Sequence, residues 1–135
     1  MENHRLAVDE VVNVAEFRAA LRRFLRHSER IARKSGLTPQ RHLLLLMIKG
    51  APDGSEQSTV TDLAERLQLA QSTVTELVRR AEEAGLLRRE QSAADGRVAH
   101  LRLTAEGERR LAKSFTSHAT ERQDLQEAFR HLDTA

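Results

Sequence analysis

The sequence predicts a mainly α-helical fold with one small β-hairpin, and three observations predict it. Most of the chain places apolar residues three and four apart, the period of an amphipathic helix. One stretch alone, Val98-Ala99-His100-Leu101-Arg102-Leu103, alternates apolar and polar as a half-buried strand does. It follows Leu86-Leu87-Arg88-Arg89-Glu90 across an Asp95-Gly96 turn. The breakers Gly36, Pro52, Gly54 and Gly85 fall between the periodic segments.

The first periodic segment is long, Val8 to Lys34. Phe17, Leu21, Phe24, Leu25, Ser28, Ile31 and Ala32 lie near one stripe, and Arg18, Arg22, Arg23, Arg26, Arg30 and Arg33 take the other faces. A small domain cannot cover so long an apolar stripe, so the helix is expected to dimerise rather than to be only a solvated surface helix. Gly36 ends it. Thr38 caps the next helix with Pro39 in its first turn. The run from Leu43 to Ile48 is almost wholly apolar and marks this helix as the central buried one. After the loop at residues 51–56, Ser58 or Thr59 caps a helix with Leu63, Ala64 and Leu67 on one face and Asp62 at the acidic third position.

Gln68-Leu69-Ala70 is too short to be an element, and its Leu69 is expected to plug the angle between two helices. The next helix has Val74, Leu77, Val78 and Ala81 at i, i+3, i+4 and i+7. Its opposite face carries Ser72, Thr73, Thr75, Glu76 and Arg79, and Gly85 stops it. Two short helices over a three-residue turn make a helix-turn-helix. Short hydroxyls near a helix start allow close approach to phosphates and base edges. The hairpin follows, and the whole is a winged helix-turn-helix. Thr104 then caps a helix bearing Leu111, Phe115 and Ala119. After a break near Thr120, Leu125, Ala128, Phe129 and Leu132 form a last stripe.

The run LAERLQLAQSTVTELVRRAEEAGLLRRE, then DGR, then LRLTAEGERRL, resembles the MarR family of bacterial transcription regulators, from about Leu37 to Leu111. The resemblance implies a winged helix-turn-helix flanked by N- and C-terminal dimerisation helices. It divides the chain into residues 1–36 and 105–135 for dimerisation and 37–104 for DNA. It implies a homodimer on a pseudo-palindromic operator, most often repressing. Gln71, Ser72, Thr73, Thr75, Glu76 and Arg79 would form the recognition face. Arg97 would enter a minor groove, with Arg89 and Asp95 paired to support the wing. A small anionic or aromatic effector is implied, with His27 and His42 on helices lining its cleft. The family often has a longer final helix than this chain.

Two positions depart from the family pattern. Ala70 stands where Ser, Thr or Asp would cap the recognition helix, so Ser72 shares the capping or the helix start is weaker by ~1 kcal/mol. Glu76 stands where a basic residue is common, on the outward face. It either accepts from a cytosine amino group or pairs with Arg80 at i+4, and the pair is slightly favoured.

Composition bounds the rest. The 135 residues suit one domain, and with four Phe and no Trp or Tyr its core must be mostly aliphatic. The absence of cysteine excludes disulfides, cysteine-ligated zinc and a thiol sensor. No window approaches the roughly 18 apolar residues of a membrane span, and the opening MENHRLAVDEV lacks a signal-peptide core, so a cytoplasmic protein is expected. Net charge is only +2. Between Thr59 and Leu103, seven basic residues (Arg66, Arg79, Arg80, Arg88, Arg89, Arg97, Arg102) meet seven acidic ones (Asp62, Glu65, Glu76, Glu82, Glu83, Glu90, Asp95), a sum of zero. Binding to double-stranded DNA therefore requires the acids to be sorted away from the arginines that meet phosphate. That balance keeps open a second class of function, a winged helix for protein partners or nonspecific DNA coating.

Phosphate-loop, dinucleotide, zinc-protease and serine-hydrolase motifs are all missing, and Ser72 and Thr73 have no nearby base, so no catalytic residue and no cofactor are expected. His4, His118 and His131 read as exposed, and His27 and His42 as partly buried neutral histidines unless they line a cleft. There is no H-x-x-x-H, and His42, His100 and His118 could meet only through folding, so metal sensing is not expected.

Overall fold

The computed structural model describes residues 5–91, 94 and 96–134. They form α1 (Val8–Lys34), α2 (Pro39–Lys49), α3 (Val60–Leu67), α4 (Gln71–Glu83), β1 (Leu87–Gln91), β2 (Ala99–Leu103), α5 (Ala105–Thr116), α6 (Ala119–Arg130) and a final 3-10 turn, His131–Thr134. The mainly helical fold with a single hairpin wing is what the sequence predicts. Two compact units result, residues 32–114 and residues 1–31 with 115–135.

The first unit is built around α2. Leu44, Leu45 and Ile48 of α2, Leu63 of α3, and Val74, Val78 and Ala81 of α4 are fully buried, with Leu86, Leu87, Leu101, Leu103 and Leu111 around them. The stripes fold inward because each helix end is locally specified. Thr38 Oγ1 accepts from Arg41 N at 3.2 Å, and Thr59 Oγ1 accepts from Asp62 N at 3.1 Å. Thr59 is thus the cap of α3, while Ser58 pairs with β2: Leu101 N donates to Ser58 O at 2.8 Å and Ser58 N to Leu101 O at 3.1 Å. Ser58 adds a one-residue bridge beside the hairpin.

β1 and β2 are antiparallel, with Leu87 opposite Leu103 and Arg89 opposite Leu101. Leu101 and Leu103 point into the core, as the alternation requires. Gly85 takes φ +76°, which reverses the chain between α4 and β1 so that Leu86 N can donate to Ala81 O at 3.0 Å. Thr104 joins wing to helix: its hydroxyl donates to Gly85 O at 2.6 Å and accepts from Gly107 N at 3.1 Å. Gly107 is fixed by close approach, because a Cβ there would lie 2.3 Å from Leu86 O.

The turn between α3 and α4 departs from expectation. Leu69 is 37% exposed and does not plug the interhelical angle. The angle is set instead by Gln68, which takes the left-handed conformation (φ 56°, ψ 46°) as the C-cap of α3, its backbone N–H donating to the last turn of that helix. Leu67 and Leu77, half-buried, pack against the core in place of Leu69.

In the second unit Ala20 and Ile31 are buried and Phe17, Leu21, Phe24 and Ser28 half-buried, but Leu25 lies outside the stripe, 52% exposed. The 100° step per residue carries Leu25 off the line joining Leu21, Phe24 and Ser28. Phe17 meets Phe129 of α6 edge to face, 5.8 Å between centroids. Val8, Val11, Val12, Val14 and Phe129 remain largely exposed. The helix break falls at residues 117–118, ahead of Thr120, and there Arg122 returns to Phe115, donating to its carbonyl at 2.7 Å and lying over its ring.

Candidate nucleic-acid interface

α4 has two faces of opposite character. Val74, Val78 and Ala81 are buried completely, which locks the helix in rotation about its axis. Gln71, Ser72, Thr73, Thr75 and Arg79 are all exposed, and Glu76 is nearly half exposed. The hydroxyl-bearing residues sit in the first turn and a half, where backbone N–H groups point outward. Ala70 is the N-cap in an extended conformation and makes no side-chain cap hydrogen bond. Gln71 Nε2 reaches Thr61 Oγ1 of α3 at 3.4 Å.

The second half of the outward face is an ion cluster. Glu76 accepts from Arg79 through both carboxylate oxygens, the Nε–Oε2 bond being 3.0 Å, and from Arg80 Nε at 3.0 Å. Arg79 also reaches Glu83. Hydrogen bonds from Arg79 and then Arg80 hold the Glu76 carboxyl down to about 2, and Glu76 in turn raises Arg79. The pair with Arg80 therefore forms, with Arg79 as an additional partner. Positive and negative charges are interleaved on this face rather than sorted to opposite sides.

The other arginines of the region are divided by role. Arg66 donates to Met47 O at 2.7 Å and Gly50 O at 3.3 Å, and so ties α3 to the end of α2. Arg102 donates to Ser55 O at 3.1 Å. Arg88 pairs with Glu90 at 3.0 Å. Arg89 donates to Glu82 at 2.8 Å, tying the base of the wing to α4. Asp95, the expected partner of Arg89, lies outside the described residues. Arg97 is exposed beyond the hairpin turn.

The histidines divide differently from expectation. His118 is not exposed: it is 6% accessible, stacked on Phe24 at 4.4 Å between centroids, with His27 at 5.5 Å. Burial pushes its pKa down, opposed by a hydrogen bond that the ring donates to the Phe24 backbone carbonyl, and among the described residues its Nε2 has no partner. Nothing in the local sequence marks it for burial, since the rings that stack on it, Phe24 and His27, lie on α1. His27 pairs with Glu121 at 3.1 Å in the same unit. His42 is buried in the winged unit with Nε2 3.0 Å from Ser114 Oγ, itself buried and donating to Leu111 O. Among the described residues no group of three or more His, Asp or Glu is placed to hold a metal ion, and no helix is long and apolar enough to cross a membrane.

A helix-turn-helix with an exposed polar second helix, a hairpin joined by Thr104 and a glycine seated under the chain reversal is a specific combination. Residues 35–98, spanning both helices and most of the wing, match the MarR family. Over these residues the chain resembles the MarR family. Solved structures agree on the fold. AbsC, a MarR family transcriptional regulator from Streptomyces coelicolor, is 21% identical with a TM-score of 0.70, over 93% of this chain and 84% of that one. Sco3205, a MarR family transcriptional regulator of the same organism in complex with DNA, is 24% identical with a TM-score of 0.67, over 93% and 79%. The transcriptional regulator Tm0710 from Thermotoga maritima is 25% identical with a TM-score of 0.65, over 87% and 84%. No curated protein sequence matches the chain closely enough to count as a relative.

Proposed function

We propose that this protein is a sequence-specific DNA-binding transcription regulator of the MarR family without catalytic activity. It acts as a homodimer on a pseudo-palindromic operator, represses, and is released by a small anionic or aromatic molecule. The observation that carries the DNA reading is the division of α4: a fully buried apolar face fixes the helix, and Gln71, Ser72, Thr73 and Thr75 present only short polar groups outward from its start. Such a face fits a major groove, where hydroxyls and amides meet base edges. That the structural neighbour Sco3205 was solved in complex with DNA supports the DNA reading. Arg97 enters the flanking minor groove, where an arginine is favoured by the narrow, electronegative walls.

The homodimer rests on the apolar residues left uncovered on α1 and α6, Val8, Val11, Val12, Val14 and Phe129. A two-fold axis then sets half-sites about one helical turn apart. Selection of bound duplexes from a random pool tests the reading, with affinity measured against random duplex at stated salt. Enrichment of one inverted repeat supports it. Equal affinity for every duplex would leave nonspecific coating, and no affinity at all a module for protein partners. Sedimentation of the full-length chain as a folded monomer at micromolar concentration would remove the dimer.

A further inference from the structure

We propose that Glu76 is a specificity-determining residue that suppresses binding to nonmatching DNA, by keeping Arg79 and Arg80 neutralised on the outward face of α4. The inference rests on the DNA-binding reading above. An arginine on a groove-facing helix is attracted to any duplex, since phosphate contacts carry no sequence information. Here the four charged residues of the face, Arg79, Arg80, Glu76 and Glu83, sum to zero, two positive and two negative. The cancellation is also local. Both arginines donate to the one Glu76 carboxylate, and Arg79 uses two of its nitrogens to do so. A guanidinium already paired in this way neutralises less phosphate charge, so fewer counterions leave the duplex.

The carboxylate also discriminates directly. A carboxylate has about four acceptor positions. Oxygen Oε1 accepts from Arg79 and Arg80, and Oε2 from Arg79. The position that remains on Oε2 suits an amino donor such as the cytosine N4 group, whereas guanine and thymine present acceptors in the major groove that repel it. Wrong sequences therefore meet both a neutralised arginine pair and an uncompensated acceptor. A matching base removes the second obstacle and leaves Arg79 and Arg80 ordered beside the backbone.

The test uses the full chain and the variant Glu76→Gln, with Glu29→Gln as a control that makes the same charge change at an exposed site on α1. Affinity for the selected operator and for random duplex is titrated with salt. For Glu76→Gln the random-duplex slope of log K against log salt should steepen by about one unit, which changes affinity by roughly fourfold more than in wild type over a roughly fourfold salt range. The operator-to-random ratio should fall, and Glu29→Gln should leave both unchanged. Glu76→Gln should also elute from a heparin column at higher salt than Glu29→Gln. The inference is overturned if the two variants elute together, or if the operator-to-random ratio of Glu76→Gln equals that of wild type. Should wild type select no duplex, the DNA reading fails, and the heparin comparison of the two variants still decides whether Glu76 masks the arginines from a polyanion. Circular dichroism melting confirms that each variant is folded.

Discussion

Gly107→Ala should destabilise the winged unit even though it replaces glycine by the best helix former in the middle of a turn of α5. The added Cβ would lie 2.3 Å from Leu86 O, 3.3 Å from Leu86 C and 3.4 Å from Leu103 Cβ. A carbon rests about 3.3 Å or more from a carbonyl oxygen, so α5 or the Leu86 peptide must retreat by about 1 Å. The Leu86 peptide has little room to move. Its side chain is buried at 2% exposure, its N–H is held by Ala81 O, and its carbonyl accepts from Thr104 N at 3.0 Å. Overpacking of this kind costs about 1–3 kcal/mol. Loss of the Thr104 hydrogen bond would add about 1 kcal/mol, and the helix propensity of alanine returns about 1 kcal/mol. The net expectation is a loss of about 1–3 kcal/mol. In urea, with m of about 1–3 kcal/mol/M for a protein of this size, the midpoint should drop by about 1 M with m unchanged. A variant as stable as wild type, or more stable, would refute the view that close approach rather than caprice places glycine here.

Three other outcomes are expected. Ala70→Ser should let a hydroxyl accept from the first turn of α4 and stabilise the protein by about 1 kcal/mol, read as a rise in Tm of roughly 3 °C. His118 has a folded pKa lowered from 6.5 chiefly by desolvation, so the unfolded chain binds more protons. Stability should be fully present above pH 6.5 and decline as pH falls below it toward the lowered folded value, and His118→Leu should flatten that decline in Tm measured from pH 7.5 to 5.5. Arg97→Ala should weaken binding to all duplexes alike and flatten the salt slope by up to about one unit, whereas Thr73→Ala should leave the slope and cost ~1–3 kcal/mol mainly at one base pair of each half-site. A salt titration on operator and random duplex separates the two.

Periodicity and local signals place the first five helices, since Thr38, Thr59 and Thr104 cap α2, α3 and α5 and Gly36 and Gly85 in the left-handed region follow α1 and α4, whereas α6 has no side-chain cap and starts ahead of the break expected near Thr120. What the sequence did not reveal depends on contacts between distant segments. The reason for Gly107 is a carbonyl 21 residues earlier, at Leu86. The burial of His118 depends on Phe24 and His27, far away on α1. Leu69, a lone apolar residue in a turn, does not set the interhelical angle because the left-handed Gln68 shapes the turn and Leu67 and Leu77 pack against the core. The outward residues of α4 could be named from their spacing alone. Their charge state could not, since Arg79 had three acidic residues within reach on its own helix, and only geometry selects Glu76 and Glu83 over Glu82, which Arg89 takes.

That last division says where function can vary without cost to the fold. Val74, Val78 and Ala81 are fully buried, and a change in any of them disturbs the packing on α2 and the wing. The outward residues of the same helix contact chiefly one another, Thr61 and solvent. Exposed pairs of this kind contribute little to stability, so their arrangement is not explained by a need to hold α4 in place. The uncapped Ala70 points the same way: a stabilising hydroxyl at that position is one substitution away and is not used. A helix whose buried side is fixed by packing and whose outer side adds little to stability leaves that outer side free to be shaped by a partner, which is what the proposed reading of α4 as a DNA-reading helix requires.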